Sequence, residues 1–248
     1  MLTILAIVFG LGLLIGIHEA AHMIVAKLFG VKVLKFALGF GPLLISKRIG
    51  ETSYEFRLLP LGGFVQFYGE CPESKVKRGF FSLPWYKRSL IALAGPTMNL
   101  ILGFLLILGL LVTAKGYPVL TGISKAFELC SGIITQTLGW IGGAFIGKAH
   151  MSEMSGPVMV TKIMSDALKE GAVQFTFVLS IISLSLGLFN FLPIPGLDGG
   201  HIFLYSIEGF IRKPLSGKVY AIWSYTGFIL LMSLMGWTVI LDLVKLLR

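Results

Sequence analysis

The chain has 248 residues, 55% of them hydrophobic and 13% charged, with a mean hydropathy of +0.87. Soluble domains carry about 25% charged residues, so half the expected charge is missing; this excludes a disordered chain, a disulfide scaffold and an ordinary cytosolic enzyme. What remains is an α-helical polytopic membrane protein, expected as a single domain over residues 1–248. The net charge of +9 does not imply nucleic acid, because no basic patch is interleaved with stacking aromatics, whereas membrane proteins gather Lys and Arg in their cytoplasmic loops. Cys71 and Cys130 form no CxxC pair and imply no disulfide, zinc knuckle or redox motif.

Taken in chain order, four apolar stretches suffice to cross a bilayer, for which a helix needs about 20 residues. The first, 2–28, is interrupted by His18, Glu19 and His22 and, lacking a basic leader and a small-residue cleavage site, is expected to be a retained span. Next, residues 52–60 and 64–68 alternate apolar with polar, and Pro60 to Gly63 is expected to turn between them, giving a membrane-associated β-hairpin over about 52–68. The second span, 90–114, carries Pro96 and Asn99; the third is 173–192 and the fourth 220–244. Between the second and third, 127–146 is diluted by Gly and Thr and reads as an interfacial helix, with Trp140 at headgroup level, rather than a fifth span.

Charge sets the expected orientation. Residues 27–88 hold eleven Lys and Arg, and the loop after the third span holds Arg212, Lys213 and Lys218. The segment 115–172 is nearly balanced, with five basic and four acidic residues. The positive-inside rule places the first two segments in the cytoplasm and both termini outside.

The chemistry centres on His18-Glu19-Ala20-Ala21-His22. Spacing of i, i+4 sets both imidazoles on one helix face, able to share a Zn²⁺, with Glu19 beside them as a proton acceptor for water. Two core histidines and a glutamate satisfying one another is the plainer reading; inside a membrane three such groups are costly and mark function. A catalytic zinc needs a third protein ligand. Asp198, in Asn190-Phe191-Leu192-Pro193-Ile194-Pro195-Gly196-Leu197-Asp198-Gly199-Gly200, stands on a rigid break after the third span, and His201 is its rival. No serine lies beside a histidine and no two spans carry paired aspartates, which argues against serine and aspartyl intramembrane proteases.

An HExxH in the first span with a later Asn-x-x-Pro-x-Pro-x-Leu-Asp-Gly resembles the site-2 protease family of intramembrane zinc metalloproteases. The pieces Gly39-Phe40-Gly41, Pro60-Leu61-Gly62-Gly63-Phe64-Val65, Gly95-Pro96-Thr97-Met98-Asn99 and Ser155-Gly156-Pro157 are most similar to its regulator of sigma-E protease branch. The resemblance implies one zinc per chain held by His18, His22 and Asp198, with Glu19 as catalytic acid/base. It further implies substrate binding by Asn190 and by the strand edge at Phe64, Val65 and Gln66; Asn99, a polar amide at depth in the second span, reads equally as a helix-joining residue and as a substrate contact. The implied substrate is a single-span membrane protein already shortened by another protease, cut within the plasma (inner) membrane among its lipids. That branch carries PDZ domains between its second and third spans, and 115–172 has no room for one. The competing class is a non-catalytic metal-binding or substrate-holding membrane protein, against which the base Glu19 argues.

Overall fold

The computed structural model describes residues 2–74, 76–147 and 155–247. Its elements are α1 (Leu2–Leu28), β1 (Val33–Ile49), β2 (Thr52–Phe67), a 3₁₀ turn (Phe80–Ser82), α2 (Trp85–Thr113), α3 (Val119–Phe145), α4 (Pro157–Glu170), α5 (Ala172–Asn190), α6 (Asp198–Ile211) and α7 (Gly217–Leu247). Among the described residues four helices, α1, α2, α5 and α7, are long and apolar enough to cross a membrane, with mean hydropathies of 2.0 to 2.1. At about 1.5 Å per residue, even the 19 residues of α5 nearly match a hydrocarbon core about 30 Å thick. The protein is a multi-pass membrane protein. Helix α3 falls outside that group of four; it takes in the whole of the stretch expected to be interfacial except Ile146 and starts eight residues earlier. The short α4 has no counterpart in the sequence reading, its start marked only by Pro157 at the first helical position.

The chain divides into two compact units. One comprises 1–7, 100–188 and 229–248. Its apolar centre joins Ile107, Ala126, Cys130 and Leu184, and Gly103 lets Leu184 approach α2, since a Cβ there would stand 2.6 Å from Leu184 Cγ. In the same unit the fully buried Asp242 of α7 accepts the backbone N–H groups of Gly156 (3.0 Å) and Met159 (2.9 Å). It thereby satisfies two backbone donors at the start of α4, a capping role supplied from a distant helix.

The other unit, 8–99 and 189–228, holds the sheet. The hairpin differs from expectation: its partners are β1 and β2, which pair antiparallel from Ile49–Thr52 outward, so the chain reverses at Gly50 and Glu51 and runs through Pro60–Gly63 as strand. Alternation fixed the strand but not its partner, because Val33–Ile49 is too rich in glycine and consecutive apolar residues to alternate. The strands are bent, and β2 flanks both edges of early β1: Ala37 pairs with Phe64 and with Glu55. Gly39, at φ +91°, makes the bend possible, as a Cβ there would stand 2.8 Å from the Leu59 carbonyl oxygen. Leu43, Leu44, Ile45 and Ile49 are exposed on the outer part of the hairpin, beside Lys47 and Arg48. An apolar strand with basic residues near its turn is suited to a membrane surface.

Candidate metal centre and active site

Helix α1 delivers His18, Glu19 and His22, and the i, i+4 spacing brings the two imidazole centroids to 4.8 Å. Both rings are buried. His22 Nδ1 donates to the Ile91 carbonyl oxygen of α2 at 2.7 Å, which fixes the tautomer and leaves Nε2 as a bare ligand atom. Pro96 lies in the same stretch of α2 and removes one rung of its hydrogen-bond ladder. The side-chain amide of Asn99 meets His18 Nδ1 at 3.1 Å. The atom facing His18 there is the amide nitrogen, Nδ2; a His18 that binds metal through Nε2 would carry its proton on Nδ1, and the amide would then turn its oxygen to accept it. Asn99, one of the candidates for substrate binding, is fully buried and meets His18.

Asp198 is the first residue of α6. The two glycines after it lie in the first turn of the helix. They permit close packing: a Cβ on Gly200 would collide with the Ile194 carbonyl oxygen, and one on Gly199 with that of Leu192. Only Gly196 of this stretch has positive φ, at +88°. The first turn of α6 is thus pressed onto the preceding proline segment.

Asp198 Oδ2 lies 3.0 Å from His18 Nε2 and 3.4 Å from His22 Nε2, and the two nitrogens are 3.2 Å apart. The point equidistant from these three atoms is about 1.9 Å from each, close to the Zn–N and Zn–O bond lengths of about 2.0–2.2 Å. Burial opposes ionisation of Asp198, but the imidazoles of His22 and His18 outweigh it and hold the carboxyl well below the usual carboxylate range. Gly95 of α2 completes the cradle. A Cβ there would collide with His22 Nε2 and stand 2.7 Å from His18 Nε2, in the space the metal requires. The donor set, spacing and side-chain-free wall fit zinc.

A cavity of about 440 Å³ opens beside the cluster, lined among others by Glu19, Asp198, Gly63, Phe64, Val65 and His201. Gly63 presses the end of β2 against α1, as a Cβ there would stand 2.9 Å from Glu19 Cγ and from the Ala37 carbonyl oxygen. Gln66 follows in the strand, half-buried and paired with Lys35, and is not in the cavity wall. Asn190 is half-buried at the end of α5 and is likewise absent from that wall. His201 lines the cavity but is not one of the three clustered ligands. His150 lies outside the described residues.

Sequence reasoning counted Arg88 among cytoplasmic-loop charges. In the structure it is buried and ion-paired with Glu208 of α6; it also donates to Leu83 O at 3.2 Å and sits 4.7 Å from the Phe81 and Tyr205 ring centres. Glu208 also accepts the Leu215 N–H at 2.7 Å, so one pair ties the start of α2 to α6 and the turn before α7. No local pattern signals a pairing of residues so far apart in sequence.

Residues 6–234 match the model of a family described as peptidase family M50. The chain belongs to this family, the site-2 proteases. Bacterial proteins named as candidate zinc metalloproteases align along almost its whole length. One from Clostridium perfringens is 28% identical over 319 residues, covering 93% of this chain and 95% of the relative. One from Clostridium acetobutylicum is 29% identical over 330 residues, covering 98% and 97%. One from Thermotoga maritima reaches 40% over 97 residues, covering 37% and 19%. An alignment of 319 positions against a chain of 248 leaves at least 71 positions of the first relative without a counterpart here. Like its family, this M50 chain is a zinc protein of the membrane metalloprotease class.

Proposed function

We propose that the protein is an endopeptidase that cuts a transmembrane segment of another membrane protein. The observation that carries this reading is the placement of Glu19: it lines the same cavity as His22 and Asp198, beside the strand end at Gly63–Val65, on a helix long enough to span a membrane. His18, His22 and Asp198 would hold the zinc, with Asn99 and the Ile91 carbonyl orienting the two imidazoles and Gly95 keeping the ligand atoms apart from α2. A zinc ion bound there acidifies water and polarises a carbonyl oxygen. Glu19 takes the proton as water adds to the peptide carbonyl and returns it to the departing amine, so the peptide bond breaks with no net change in the enzyme.

A helical substrate must be unwound before its carbonyl can be reached. Phe64 and Val65 in the cavity wall suit an extended chain laid along β2, and Gln66 and Asn190 are the further polar contacts expected for it. The substrate we favour is a single-span protein already shortened outside the membrane. The Lys- and Arg-rich segment 27–88 supports a site that faces the cytoplasm of a cell's plasma membrane, with both termini outside.

The test is cleavage of a model transmembrane substrate in detergent by the wild type and Glu19→Gln, with zinc measured on both. One zinc on each and cutting by the wild type alone is the expected result. Zinc on both with no cutting of a panel of transmembrane helices would favour a holding protein without turnover; zinc on neither would overturn the ligand set.

A further inference from the structure

Within the reaction proposed above, His201 in the cavity wall has no assigned task. Glu19, Glu70 and Asp198 give this cavity three carboxyl groups. When water adds to a peptide carbonyl, its oxygen gains negative charge, and in a wall with three carboxyl groups a hydrogen-bond donor would share with the zinc the task of opposing it. Of the described lining side chains outside the metal cluster, His201, Tyr205, Tyr220 and Ser224 carry donors, and His201 alone of these stands one helical turn from Asp198.

Its setting selects a tautomer. His201 Nδ1 is buried and has no hydrogen-bond partner among the described residues. A buried N–H left without an acceptor is rarer and costlier than a bare acceptor atom, so the proton belongs on Nε2. The residue as a whole is half-buried and lines the cavity, and with Nδ1 sealed inside, Nε2–H is the polar edge left to it there. The ring is also held still. It stacks on Tyr205 at 6.2 Å between centroids with an interplanar angle of 28°, and Tyr205 in turn lies against the Arg88 guanidinium. His201 sits one helical turn beyond Asp198 on α6, so ligand and donor are carried by one rigid element.

We infer that His201 is a catalytic residue, whose Nε2–H donates a hydrogen bond to the scissile carbonyl oxygen as water adds to it. No proton is transferred to or from the ring. The donor acts only on charge that develops during the reaction, so its loss lowers kcat and leaves substrate binding nearly intact.

The test uses the full chain in detergent, with a model transmembrane substrate and, separately, a phosphinic peptide whose tetrahedral, charged phosphorus centre copies the carbonyl after water has added. His201→Phe keeps an aromatic ring against Tyr205 without a donor, and His201→Gln returns an amide N–H. For His201→Phe the expected result is a fall in kcat of about 10²–10³-fold, with one zinc retained. KM stays within about twofold, and His201→Gln regains about tenfold of the lost kcat. Affinity for the phosphinic peptide should follow kcat across the three proteins. A His201→Phe variant with wild-type kcat, or one that loses its zinc, or a Gln variant as slow as the Phe variant, would overturn the inference. A wild type that holds zinc and cuts no substrate would refute proteolysis, whereas phosphinic-peptide affinity unchanged in His201→Phe would refute the role of His201 alone.

Discussion

Gly95→Ala sets two effects of opposite sign against each other. Gly95 lies inside α2, where replacing Gly by Ala favours an exposed helix by about 1 kcal/mol. The added methyl, however, would collide with His22 Nε2 and stand 2.7 Å from His18 Nε2, where contacts tighter than 3.4 Å already force the neighbour to give. His18 Nε2 must therefore retreat by about 0.7 Å and His22 Nε2 by more, against a tolerance of about 0.2 Å in a metal–ligand distance. If displacing each ligand costs at least the 10–100-fold that follows loss of its supporting partner, zinc affinity falls by about 10²–10⁴-fold. The retreating imidazoles also strain their contacts with Ile91 and Asn99, so the helix gain is offset and the metal-free melting temperature should move little. The assay is competition for zinc against a chelator of known affinity, read beside thermal unfolding of the chelated protein in detergent. A Gly95→Ala variant that binds zinc as tightly as the wild type would refute the assignment of that space to the metal.

The remaining predictions concern partners of the site and the rest of the fold. Asn99→Ala removes the amide that meets His18 Nδ1 and should weaken zinc by about 10–100-fold in the same competition assay; unchanged affinity would show that His18 is oriented otherwise. Gly63→Val should lower kcat with zinc retained, because its side chain must displace Glu19 Cγ or the strand, and a variant with wild-type turnover would contradict that packing. Arg88→Met leaves Glu208 buried without its cation and should destabilise the protein by about 3–5 kcal/mol, with Arg88→Met combined with Glu208→Leu recovering most of it. Unfolding in denaturant measures both, and a double variant no better than the single one would rule out an unpaired charge as the cause. Asp242→Ala strands the N–H groups of Gly156 and Met159 at about 1–3 kcal/mol each; zinc stoichiometry should not change, because Asp242 belongs to the unit without the metal cluster.

Composition and periodicity were enough for the parts whose physics is local. A bilayer demands about 20 apolar residues whatever surrounds them, so the four spans were legible, with ends shifted by a few residues. The i, i+4 geometry of a helix is equally local, and it placed His18 and His22 together with Glu19 beside them before any tertiary contact was known. Proline and glycine around Asp198 marked a break, though not that Gly199 and Gly200 serve to press α6 onto it.

Tertiary structure decided what depends on separate segments meeting. The strand 52–67 was visible, but its partner was not, because pairing is chosen between strands and Val33–Ile49 does not alternate. That Asp198 rather than His201 stands within 3.4 Å of both imidazoles, that Asn99 lies beneath His18, and that Gly95 leaves room for an ion all follow from helices α1, α2 and α6 converging. Residues 18, 95, 99 and 198 share no period and no spacing rule, since the distances that bring them together are measured across the fold.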